Sequence, residues 1–134
     1  MKVTNGDISG AHKALAELAP QKMPVRISLA VLKLRQLLKP FADNVEEMRV
    51  KLVHEYGEAS PQGLSIPPTI LVPDPEHEGR LLPEVNPKHE LFMRDFGEVR
   101  DVEVVLEFEP IVLSGTVELS PAAVMALEKF ITIL

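Results

Sequence analysis

Apolar residues recur in an unbroken 4-3-4-3-4-3-4 spacing at Ile27, Val31, Leu34, Leu38, Phe41, Val45, Met48 and Leu52. This is the a/d pattern of a helix that lays one seam along another helix. It predicts a long helix from Val25 to Glu55 or Tyr56, with Pro24 suited to its first turn and Gly57 to its end. Pro40 falls inside it, where the missing N–H and the ring cost about 3 kcal/mol. The heptad phase nevertheless runs from Leu38 to Phe41 to Val45 without a slip. The expectation is a continuous helix kinked at Pro40, or two helices in register meeting there; a tight helical hairpin would make the preserved phase a coincidence. Leu29, Leu32 and Leu37 lie off the seam, so the first half predicts a helix buried on most sides. From Asp43 onward the pattern is amphipathic, with Glu47 and Lys51 spaced as an i,i+4 ion pair.

Elsewhere the patterns are shorter. Lys2 to Ile8 reads as a strand or extended arm closed by the turn pair Asn5-Gly6. Ser9 then suits the cap of a helix to about Ala19, with Ala11, Ala14, Leu15 and Leu18 on one face and Pro20 as its stop. Residues 58–88 hold seven of the twelve prolines, among them Pro61, Pro73 and Pro83, and predict an extended arm or irregular edge hairpin. Asn86-Pro87 has the form of a cap and first helical residue for a short helix Lys88–Phe96 ending at Gly97 and burying Leu91, Phe92 and Phe96. Asp101 to Glu109 alternates apolar Val102, Val104, Leu106 and Phe108 with an acidic face, the clearest strand in the chain. Ile111–Leu113 and Gly115–Leu119 predict further strands, and Ser120-Pro121 opens a last helix to about Ile133. The fold class is α+β: one long helix, kinked at Pro40, on a small mainly antiparallel sheet, with short N- and C-terminal helices. A length of 134 residues suits a single domain, residues 1–134, with the proline-rich arm at about 58–88.

Composition narrows the classes. Without Cys there is no disulfide framework, thiolate metal site or Cys nucleophile. The polar opening Met1–Asp7 is no signal peptide, and no apolar run is long enough to span a bilayer, which predicts a soluble protein. The net charge of −6 is unevenly spread. Residues 1–42 carry seven basic side chains against two acidic ones, and the remainder carries seven against eighteen. Such asymmetry means either two halves that attract each other or a bipolar surface that docks head to tail. The basic part lacks interleaved aromatic residues, so nucleic acid is a poor fit as partner.

Candidate chemistry is thin. His54 has no zinc-helix partner at i+4. The cluster Asp74-Pro75-Glu76-His77-Glu78-Gly79 offers hard ligands without the spacing of a calcium loop, and a solvated loop tip accounts for it. Glu103, Glu107 and Glu109 form an acidic strand face, the ordinary protection of an exposed edge. No nucleophile elbow or phosphate-binding glycine loop is present. The residues therefore assign no catalytic role, no metal and no cofactor.

The long helix ending in Glu46-Glu47-Met48-Arg49-Val50-Lys51-Leu52-Val53-His54-Glu55-Tyr56-Gly57, after a Val3–Asp7 start and Met23-Pro24-Val25, is similar to a family of small uncharacterised proteins of tailed bacteriophages. The resemblance implies a viral setting: the cytoplasm of an infected bacterium, or the virion itself. It brings no catalytic residues. Together these features predict a non-enzymatic protein that works by protein–protein contact, most simply a homo-oligomeric virion or tail assembly component. Its contact seam would be Ile27, Val31, Leu34, Leu38 and Phe41, with Pro40 setting the bend. The alternative is an inhibitor or modulator of a host enzyme, such as a nucleic-acid-processing or defence protein, that presents the acidic face Glu103, Glu107 and Glu109. Partners are accordingly a second copy or another phage or host protein, with no membrane.

Overall fold

The computed structural model describes residues 1–60 and 63–134; Pro61 of the proline-rich segment lies outside them. The elements run β1 (Lys2–Thr4), α1 (Asn5–Leu18), α2 (Val25–Tyr56), β2 (Glu58–Ser60), β3 (Gly63–Ser65), β4 (Thr69–Pro73), β5 (Leu81–Val85), α3 (Pro87–Asp101), β6 (Glu103–Val105), β7 (Ile111–Leu113), α4 (Pro121–Leu127) and β8 (Ile131–Ile133). The fold is α+β. In place of one small sheet, the described strands form four two-stranded pairs, β1–β6, β2–β3, β4–β5 and β7–β8, of which only β7–β8 is parallel. The chain divides into two compact units, residues 1–46 with 100–134, and residues 47–99.

In the first unit α1 begins earlier than the turn pair Asn5-Gly6 suggests. Thr4 is its N-cap: the Thr4 hydroxyl accepts from the Asp7 amide at 3.1 Å, and the Asp7 carboxylate accepts from the Thr4 amide at 3.0 Å. This reciprocal box satisfies two otherwise orphaned donors, which outweighs the turn tendency of Asn-Gly. Lys129 reaches the same carboxylate at 2.9 Å. The Asp7 carboxyl is held below its ordinary range, first by the Thr4 amide and then by Lys129.

Residues 25–56 form one 32-residue helix with Pro40 inside it, not a helical hairpin. Its start is anchored by the Pro24 carbonyl, which accepts from the amides of Ile27 and Ser28 at 2.9 and 3.0 Å. At its far end the Gly57 amide donates to the Val53 carbonyl. A Cβ at Gly57 would collide with that same oxygen, so glycine is required by close approach.

The core of the first unit collects Ile8, Leu15 and Leu18 of α1, Val31, Leu34 and Leu38 of α2, and Leu106, Ile111, Leu113, Leu127 and Phe130. Phe108 stacks on Phe130 with ring centroids 5.1 Å apart. The strand expected over Asp101–Glu109 shrinks to Glu103–Val105, because its partner β1 supplies only Lys2–Thr4. Val104, Leu106 and Phe108 still turn inward, so the alternation outlasts the ladder. The expected strand Gly115–Leu119 is instead a turn and irregular chain. The last helix stops at Leu127, and β-branched Ile131 and Thr132 pair in parallel with Ile111 and Val112. Ser120 caps α4 as expected, accepting from the Ala123 amide at 3.2 Å.

In the second unit the proline-rich stretch forms the pairs β2–β3 and β4–β5, with Pro73 and Pro83 inside the latter. The Asp74–Arg80 tip closes it, with the Asp74 side chain accepting from the Glu76 amide at 2.8 Å and Gly79 at φ +79°. Asn86 is buried, donates to the Pro67 carbonyl at 2.8 Å and accepts from the Lys88 amide at 3.1 Å, so it caps α3 and ties it to the preceding hairpin. The helix passes through Gly97 to Asp101, longer than Lys88–Phe96. Glycine there weakens a helix by about 1 kcal/mol without ending it. No α3 side chain is fully buried: Leu91 is exposed, while half-buried Phe92 and Phe96 meet at 5.5 Å. Tyr56 at the end of α2 donates to Asp95 of α3 at 2.6 Å, and Arg94 donates to the same carboxylate at 3.0 Å.

Candidate functional site

The heptad seam has its partner inside the chain. Leu38 is 0%, Val31 2% and Leu34 5% exposed, and Ile27 and Phe41 pack against the same cluster. Val31, Leu34 and Leu38 share one buried core cluster with residues of α1 and of the segment 106–113, so these three are not an accessible contact surface, and Ile27 and Phe41 are partly covered by it. Heptad spacing reports that one face of a helix is covered and says nothing about which chain covers it.

In the first half of α2, from Val25 to Leu38, the exposed apolar residues are the ones off the seam. Val25 is 84%, Leu29 49%, Leu32 47% and Leu37 37% exposed. At 100° per residue, Val25, Leu29 and Leu32 fall within one narrow stripe opposite the buried seam. The expectation that this half is buried on most sides is therefore not met within the described residues. Basic side chains border the stripe: Arg26 and Lys33 on one side, Arg35 and Lys39 on the other, with no carboxylate between Val25 and Ala42. Lys39 pairs with Asp43 at 2.8 Å.

Beside this stripe lies an open groove of about 510 Å³ between α2 and the chain from Glu107 to Ile111. Its floor is apolar, from Leu29, Ala30, Leu34 and Leu37 on the helix and from Phe108 and Ile111 opposite. Its walls are charged and unlike: Arg26 and Lys33 stand on the helix side, Glu107 and Glu109 on the other. Among the described residues no ion pair crosses it.

The acidic face is thus divided. Glu103 lies on β6, across from Lys2 at 3.8 Å, whereas Glu107 and Glu109 follow the strand and line the groove. The three do not share one strand face.

Remaining titratable groups form no second constellation. His12 of α1 is half-buried, and its pKa is lowered first by desolvation, then by the charges of Arg35 and Lys39, with Asp43 opposing. The buried Arg35 Nε has no hydrogen-bond partner among the described residues. Among the described residues no group of three or more His, Asp or Glu side chains is placed to hold a metal ion, and Asp74, Glu76 and His77 sit on a hairpin tip. No helix among the described residues is long and apolar enough to cross a membrane. The groove combines an apolar floor with charges of opposite sign on its two sides. Comparison with protein-family models, with curated proteins and with solved structures returned no match to this chain.

Proposed function

We propose that this protein is non-enzymatic and acts by protein–protein contact, as a self-associating assembly component. A bacteriophage virion or tail is the setting we propose, on the resemblance of the long helix and its Tyr56-Gly57 end to tailed-bacteriophage proteins. The observation that carries the proposal is the exposed stripe Val25, Leu29 and Leu32, continuous with the apolar groove beside Leu37. Burial of apolar surface is the main driving force of association, at roughly 25 cal/mol per Å² before the costs of ordering. A patch of this kind on an otherwise charged helix supports a role in contact. The self-associating reading is favoured over inhibition of a host enzyme because the carboxylates needed for the latter are split between β6 and the groove. Sedimentation velocity over a wide concentration range tests the proposal. Mass action predicts a species heavier than one 14.8 kDa chain that grows with concentration. A single monomeric boundary throughout would reject it.

A further inference from the structure

The groove carries two basic groups on one wall and two acidic groups on the other, so its charge sums to zero. A partner of one sign would meet attraction at one wall and repulsion at the other. A second copy of the same groove, turned by a two-fold axis, meets neither difficulty. Two-fold contacts use the same patch on both partners, so each feature must face its complement. Rotation about an axis along the groove brings the basic wall of each copy against the acidic wall of the other and sets Leu29 and Leu37 of each helix toward Phe108 and Ile111 of the other copy.

We propose that the occupant of this groove is the same groove of a second copy, with Arg26 and Lys33 of each chain facing Glu107 and Glu109 of the other. This rests on the self-association proposed above and names the surface and geometry that perform it. All four charged side chains are exposed, and among the described residues none is engaged in an ion pair, so each is available to a partner. Unlike walls also set register: sliding or inverting one copy places like charges together, which costs affinity.

The test is a charge-swap mixing experiment read by sedimentation velocity, with circular dichroism melting of each variant as the folding control. One variant, R26E/K33E, has two acidic walls; a second, E107K/E109K, has two basic walls. Each alone is expected to associate at least tenfold more weakly than the unaltered chain, and an equimolar mixture to regain the dimer. A third variant carrying all four changes restores complementarity within itself. It is expected to self-associate but not to mix with the unaltered chain, and this decides the matter if either two-site variant fails to fold. If the two-site variants dimerise as well as the unaltered chain, or folded variants fail to recombine, the groove is not the interface, while self-association itself stands. If the unaltered chain is monomeric at every concentration, both proposals fall.

Discussion

Replacing Leu38 by Ala tests directly whether the heptad seam is core. Its side chain is 0% exposed, in the core cluster that also holds residues of α1 and Leu106, Ile111 and Leu113. Truncation removes buried apolar atoms and leaves a cavity that close-packed neighbours fill only in part. Leu→Ala changes at such sites cost about 2–5 kcal/mol, and about 3 kcal/mol is expected here. For a body of roughly 60–100 residues each kcal/mol lowers Tm by about 4–8 °C, so the transition of the first unit should fall by about 12–24 °C. The assay is thermal and urea melting followed by far-ultraviolet circular dichroism, at the lowest workable concentration so that association adds nothing. Leu29→Ala, at a site 49% exposed, is the control and should stay within about 0.5 kcal/mol of the unaltered chain. A cost below about 1 kcal/mol at Leu38, or equal costs at the two sites, would refute the assignment of the seam to the core. By the same reasoning Leu34→Asp buries a charge and unfolds the first unit, so it reports folding and not partner binding.

Three further predictions concern single interactions. Thr4→Ala removes one half of the capping box and should cost about 1 kcal/mol in denaturant melts, with Thr4→Ser recovering most of it. His12 has a folded pKa below its usual 6.5, so the unfolded chain takes up the proton first and stability falls as pH drops through that value. Melting between about pH 7.5 and about pH 5 should show this slope, and His12→Gln should flatten it; an unchanged slope would dissociate His12 from it. Asp7, whose folded pKa is depressed, contributes its stability above 3.8 and loses it only as pH falls further through the folded pKa, a separate and more acidic window. Tyr56 is the only tyrosine, so an alkaline absorbance titration reads it alone. Its hydrogen bond to the Asp95 carboxylate raises its pKa above 10.0, and Asp95→Asn should bring the titration back down; no movement would mean that the contact does not form in solution.

The long helix was legible because 3.6-residue periodicity is a local signal, and its phase continued through Pro40. The chain that covers the seam was not legible. The cluster that contains Leu38 gathers residues from Val3 to Ile131, and spacing cannot tell an internal neighbour from a foreign one. At α1 the sequence did carry the answer, since Thr4 and Asp7 stand at capping-box spacing, but Asn5-Gly6 gave a competing turn signal. The C-terminal helix was overextended for a similar reason. Ile131 and Thr132 are β-branched, yet a parallel partner at Ile111–Leu113 leaves no hairpin turn to mark it. The groove was invisible altogether, because it exists only where residues 26–37 lie beside residues 107–111. Glu107 and Glu109 were singled out for an alternation that holds, while their position beyond β6 depends on how short β1 is.

The outward face of α2, and not its seam, is the surface proposed for contact with other chains. Light scattering behind a sizing column, on the unaltered chain and on Leu29→Asp at matched concentrations, tests it most directly. Leu29 is exposed, so the variant should fold and melt as the unaltered chain does when both are monomeric. A mass approaching twice 14.8 kDa is expected for the unaltered chain at high concentration, and 14.8 kDa for Leu29→Asp throughout. Equal masses for the two proteins, whether both monomeric or both assembled, would contradict it.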